Sequence, residues 1–196
     1  MASLRPNPLS IVRPLIGSAF ARRVRRRHLK LATKPAMGVR HFFELVDLPE
    51  YTDTPPVFIL SAGWRSGSTL LQRLVSSGEG WFIWGEPYDR SMIVQNMVQS
   101  LAPFEKRYPP EEFIEQVKQD SVSQMWAATL YPPPNALRDA YRAMFIALFS
   151  DPAGHRGGTH WGFKETRFGL AEALLLRGLF PDAKFLFIRR DINAAF

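Results

Sequence analysis

The sequence predicts an α/β fold of three layers, a mostly parallel sheet with helices on both faces. Three observations predict it. Short apolar runs at 57–62, Trp81–Trp84 and Lys184–Ile188 are β-rich, too brief for helices, and bounded by Pro, Gly or Asp. Between them lie segments whose apolar residues recur at helical spacing. The order is strand, helix, strand, several helices, helix, strand, the pattern of parallel strands joined by helical crossovers.

The first segment is a basic arm, taken as residues 1–50. It holds ten Lys or Arg against three Asp or Glu, whereas residues 51–196 hold fifteen of each, so the whole net charge of +7 sits in the arm. No acid precedes Glu44, and residues 21–30 read ARRVRRRHLK. Val12, Ile16, Phe20 and Val24 recur every four residues, and Pro6, Pro8 and Pro14 confine a good helix to about residues 15–32. Such a segment suits an anionic membrane surface or an organellar transit peptide; a solvated basic tail is the plain alternative. Arg13 interrupts its apolar stretch and the basic block follows that stretch, which is not the layout of a secretory signal. The expected location is cytoplasmic, with the arm as the feature that points to a membrane or an organelle.

The body, 51–196, is neutral, which argues against a nucleic-acid surface. With 46% hydrophobic and 22% charged residues the chain is globular in composition. It has no cysteine, which removes disulfides, thiolate metal sites and cysteine nucleophiles. No apolar run approaches the roughly 20 residues of a membrane span.

Within the body, 57–62 (VFILSA) follows Pro55-Pro56 and reads as a strand buried on both faces. A turn, Gly63-Trp64-Arg65-Ser66-Gly67, leads into a helix from Ser68, with Leu70, Leu71, Leu74 and Val75 expected inward and Gly78 as its stop. Trp81–Trp84 is an aromatic strand ended by Gly85-Glu86-Pro87. The middle, about 90–150, reads as helical, with a start at Pro109-Pro110-Glu111-Glu112 and, after Pro132-Pro133-Pro134, a stripe of Leu137, Tyr141, Met144, Phe145 and Leu148. Residues 161–164 (WGFK) read as a short strand, Leu170–Leu179 as a helix, and Lys184–Ile188 as a strand after the turn Pro181-Asp182-Ala183. Asp191 opens a further helix, and the sequence ends one turn into it. A strand normally feeds a crossover that packs back on the sheet. We therefore expect the chain to be a truncated copy lacking the C-terminal part of the fold, and weakly active or inactive; a natural short terminal turn is the alternative.

A strand ending in a Gly-bearing turn that opens a helix is an anion site, because loop and first-turn N–H groups converge and the helix dipole adds to them. Gly67 permits close approach, Ser66, Ser68 and Thr69 offer hydroxyls, and Arg65 offers a cationic fork. The loop is not the nucleoside-triphosphatase type: the sixth residue from Gly63 is Ser68 and no Lys follows.

The run 58–71 (FILSAGWRSGSTLL) resembles the 5′-phosphosulfate loop of sulfotransferases that use 3′-phosphoadenosine 5′-phosphosulfate (PAPS), with Ser68 where Thr is common. Residues 161–167 (WGFKETR) resemble that family's Gly-x-Lys-x-Pro-Arg segment, with Thr166 in place of Pro. Residues 180–191 (FPDAKFLFIRRD) resemble the strand and Arg-Asp turn of its 3′-phosphate motif, whose Ser would fall at position 198, past the last residue. The resemblance covers residues from about 55 to 196 and implies a P-loop-like fold, PAPS as donor and no metal. It places Arg65, Ser66, Gly67, Ser68, Thr69 and Leu70 on the donor's 5′ side, Arg190 on its 3′-phosphate, and Lys164 at the bridging or sulfuryl oxygen.

The chemistry is in-line sulfuryl transfer, with positioned cations stabilising charge and a base taking the acceptor's proton. Glu86 is the candidate base: it stands at the end of the Trp81–Trp84 strand, and the Gly-Glu pair after the loop resembles the family's glutamate-base branch. Trp81, Phe82 and Trp84 are expected to desolvate it and raise its pKa. His160 is the rival, since cytosolic members commonly use His. His155 and His160 are read as solvent-facing, not as metal ligands. The acceptor is a hydroxyl or amine of a sugar, lipid, peptide or small molecule. Two other classes stay open: a P-loop-type kinase or NTPase, and a non-catalytic relative that binds a nucleotide or a membrane.

Overall fold

The computed structural model describes residues 34–105, 108–110 and 131–190. The helix expected within 15–32, the start expected at 109–112 beyond Pro110, and the helix from Asp191 lie outside the described residues.

Residues 34–44 form the first helix, α1. Ala36, Val39 and Phe42 on this helix and Val46 just after it are buried, with Val39 and Phe42 fully so. The packed unit begins at Pro35, not near residue 51, so the arm is shorter than its charge suggests.

The sheet has four strands, β1 (Val57–Ser61), β2 (Trp81–Trp84), β3 (His160–Glu165) and β4 (Lys184–Ile188), in the order β2-β3-β1-β4. Every neighbouring pair is parallel. β1 is one of the two inner strands, with β3, and is buried at all five residues. Its alternate residues face two different layers: Val57 and Ile59 join Ile83 on one side, and Phe58 and Leu60 enter the main core on the other. β3 crosses β1 closely at Gly162, where a Cβ would meet the Val57 carbonyl.

The main core layer is built by α1, α3 (Ile93–Leu101), α4 (Pro134–Phe145) and α5 (Leu170–Leu179). Phe58, Trp161, Phe145 and Phe180 pack there edge to face, and Phe163 lies tilted on Phe58 and stacked on Phe145. The stripe expected after Pro134 lies in this layer, but the helix widens into a π-turn over Ile146–Ser150 before one last α-turn, Asp151–Gly154. The Phe149 carbonyl there accepts a hydrogen bond from the Trp84 indole N–H, at 2.9 Å.

The opposite face carries α2 (Ser68–Ser76). Leu71 and Val75 pack on the Val57/Ile59/Ile83 cluster, whereas Leu70 and Leu74 are more than 60% exposed. The expectation that all four turn inward is corrected. A helix on a sheet presents one stripe to it, and among the described residues no further layer covers the outer side of α2. Among the described residues no helix is long and apolar enough to cross a membrane.

Candidate active site

The C-terminal ends of all four strands lie along one edge of the sheet. The crossover through α2 runs from β1 past β3 to β2, and the crossover through α5 runs from β3 past β1 to β4, so the two diverge between β1 and β3. In open parallel sheets ligands bind at such a switch point. The loop after β1, Glu86 after β2, the segment 164–167 at the end of β3, and Arg189-Arg190 after β4 all lie on this edge.

The loop after β1 is held by a side chain that the sequence did not single out. Ser61, buried at the end of β1, donates through Oγ to the Gly63 carbonyl at 2.7 Å and lies 2.5 Å from Ser66 Oγ, which therefore donates to it. The Gly63 N–H also points to Ser61 Oγ, at 3.3 Å. The loop then reverses twice through positive φ, at Arg65 (56°) and Gly67 (94°). Gly67 tolerates this freely and Arg65 does not, which makes Arg65 the strained position of the turn. Gly67 is the N-cap of α2, and no side chain among the described residues caps that end. Its first-turn N–H groups are left without a side-chain cap at this edge, and Arg65 and Thr69 are exposed residues of the same loop and first turn. Ser68 is buried and Leu70 exposed. After β4, Arg190 Nη1 donates to the Arg65 carbonyl at 3.4 Å, so the structure brings this arginine to the loop.

Glu86 and Lys164 meet. Lys164, only 8% exposed, donates through its ammonium to Glu86 Oε1 at 2.6 Å, and the Thr166 hydroxyl donates to the same oxygen at 3.3 Å. Arg167 Nη2 lies 3.6 Å from Glu86 Oε2. The Lys164 hydrogen bond holds the Glu86 carboxyl below the usual carboxylate range; partial burial opposes this, and the charges of Lys164 and Arg167 and the Thr166 hydroxyl reinforce it. The expected upward shift is thus corrected. The aromatic strand does not sheathe the carboxylate: the Trp84 indole turns away to Phe149 in the main core, and Trp81 stacks on His160.

His160 opens β3, stacked on Trp81 at 4.5 Å between ring centroids, with Nδ1 on the Thr159 hydroxyl at 3.0 Å. Four residues of strand, about 13 Å, separate it from Lys164. It therefore belongs to the opposite edge of the sheet. His155 is exposed in the loop before β3. Among the described residues no three His, Asp or Glu side chains are grouped to hold a metal ion.

The segment after Lys164 supplies two more side chains. Glu165 is 1% exposed and accepts from the backbone N–H of Thr166 and Arg167 and from the Arg167 guanidinium. The alternation Lys-Glu-Thr-Arg at the end of an apolar strand was the available sequence signal: charges of both signs stop the strand where it leaves the core.

Residues 55–196 match the family model described as the sulfotransferase family. No curated protein matches the chain.

Proposed function

We propose, from the premise that the chain belongs to the sulfotransferase family, that it moves a sulfuryl group from PAPS to a hydroxyl or amine, with Glu86 as base and Lys164 as the cation on the leaving oxygen. The observation that carries this reading is the Glu86–Lys164 contact on the same sheet edge as the uncapped start of α2.

The loop from Gly63 to Thr69 would receive the 5′-phosphosulfate through backbone N–H groups, hydroxyls and Arg65, and Arg190 would take the 3′-phosphate. The acceptor oxygen then attacks sulfur as its proton passes to Glu86. The sulfur–oxygen bond to the phosphate breaks, and the electron pair stays on the phosphate oxygen, next to the cations. Lys164 cannot serve the leaving oxygen and remain fully paired with Glu86. Donor binding therefore draws it away, and Glu86 becomes more basic when the reaction needs a base.

Titration with adenosine 3′,5′-bisphosphate without Mg²⁺, followed by PAPS turnover against a panel of phenols, sugars and alcohols, tests the reading. Metal-independent binding and turnover of one class support it. Binding without any turnover favours a non-catalytic relative, and binding of ATP that requires Mg²⁺ favours a kinase or NTPase. Arg65→Ala is expected to weaken binding of the bisphosphate by roughly 10–150-fold, the worth of one charge-assisted hydrogen bond of about 1.5–3 kcal/mol. Unchanged affinity removes Arg65 from the donor site.

The basic arm is proposed to rest on anionic membrane. Deleting residues 1–33 should leave the packed unit folded and reduce sedimentation with phosphatidylserine vesicles; equal sedimentation with and without the arm overturns this.

A further inference from the structure

One side of α2 packs on the sheet through Leu71 and Val75. Leu70, Arg73 and Leu74 stand at steps of three and four on the other side, and all three are exposed. Trp64, on the turn that leads into this helix, is 80% exposed, the highest value among the large apolar side chains described. Tryptophan is highly buried in most folds, so an indole held in water next to two uncovered leucines calls for a partner.

Charge decides what this surface fits. Between Asp53 and Glu79 the chain holds no acid, and its two cations there, Arg65 and Arg73, are both exposed. A second copy seated face to face would set arginine against arginine with no carboxylate to answer either. An anionic lipid interface answers every group. Leucine enters the acyl boundary, the indole rests at headgroup level with its N–H wet, and guanidinium meets phosphate.

We propose that the outer side of α2, together with Trp64, is a docking surface for an anionic lipid membrane. The surface belongs to the packed body and is separate from the basic arm. It stands whether or not the chain transfers sulfuryl groups. Docking there brings the start of α2, and with it the loop after β1, beside the headgroups.

The chain has no cysteine, so Leu74→Cys in the full chain carries a single nitrobenzoxadiazole label. The probe is a vesicle of phosphatidylcholine and phosphatidylserine. On adding vesicles the label should brighten and shift to the blue, and lipids brominated on their acyl chains should quench it. The same label at Arg177→Cys, exposed on α5 in the layer across the sheet, should stay in water. Attachment through the arm alone would bring both labels to the vesicle and bury neither. A Leu74→Cys label that stays in water, whether or not the protein sediments with vesicles, overturns the proposal. A label already shielded before vesicles are added also overturns it, since another segment of the chain or a second copy would then cover α2.

Two exposed substitutions give a second reading, with circular dichroism to check the fold. Leu74→Gln should weaken binding to the mixed vesicles roughly tenfold, the transfer worth of one inserted leucine. Arg73→Gln should weaken it about fivefold and leave binding to pure phosphatidylcholine unchanged, because the lost attraction is to anionic headgroups. Unchanged affinity in Leu74→Gln overturns the docking surface, and equal loss on both lipids in Arg73→Gln overturns its preference for anionic membrane.

Discussion

Glu86→Gln is expected to lose about 10²–10⁴-fold in PAPS turnover, the usual range for removal of a general base. The amide is nearly isosteric with the carboxylate and can still accept from Lys164 and Thr166, so the turn at Gly85-Glu86-Pro87 should survive. It cannot take a proton. Donor binding should stay equal or tighten, because the donor is an anion and no longer competes with a carboxylate for Lys164. Affinity and turnover thus move in different directions, which separates loss of a base from loss of the fold. In the wild type the free protein should keep Glu86 ionised down to acid pH, since its pKa is lowered by Lys164. Turnover is expected to fall as pH drops through the pKa of Glu86 in the donor complex, which loss of the Lys164 contact should raise above that of the free protein. His160→Ala should be close to wild type, because His160 begins β3 at the far edge. If His160→Ala abolishes turnover while Glu86→Gln is mild, the base assignment is wrong.

Lys164→Met is expected to cost about 10²–10³-fold in turnover, comparable to removing one preorganised donor from a developing oxyanion. The change has a built-in control. Without the ammonium, Glu86 titrates higher and is the stronger base. If Lys164 served only to pair with Glu86, the variant would gain basicity and hold its rate. A large loss despite a more basic Glu86 assigns the lysine to the leaving oxygen. Methionine roughly fills the buried channel that the lysine stem occupies, so the end of β3 should not collapse. Circular dichroism and affinity for adenosine 3′,5′-bisphosphate check that the fold is kept.

Where local sequence determined the structure, it was legible. The apolar runs before the loop and after Pro181 are β1 and β4, and Ser68 opens α2, because burial on both faces and a glycine turn leave a local trace. The direction of the Glu86 pKa was not legible. Its main partner lies 78 residues away, and nothing near Glu86 in the chain announces a lysine. The neighbouring aromatics suggested a dry site, but strand alternation and the indole bond to Phe149 take Trp84 elsewhere. The exposure of Leu70 and Leu74 was missed for a similar reason: a leucine-rich helix looks the same whether one side or two are covered. Glu165 and Arg167 sat within a recognised segment, yet the fork between them appears only once the turn after β3 is built.

The strand order also governs when function can arise during synthesis. β1 and β2 are consecutive in the chain but do not touch as strands; β3 lies between them, hydrogen-bonded to both. A nascent chain that has emerged only through α4 holds two strands with a one-strand gap, and neither the base nor the loop has its lysine. The arrival of residues 160–165 fills the gap, aligns the loop edge and delivers Lys164 to Glu86 in one event. Contacts of this sequence separation form late, because closing long loops is slow. Sulfuryl transfer would accordingly be the last property a refolding sample regains, after helical signal has returned, and a sensitive gauge of whether the sheet has closed.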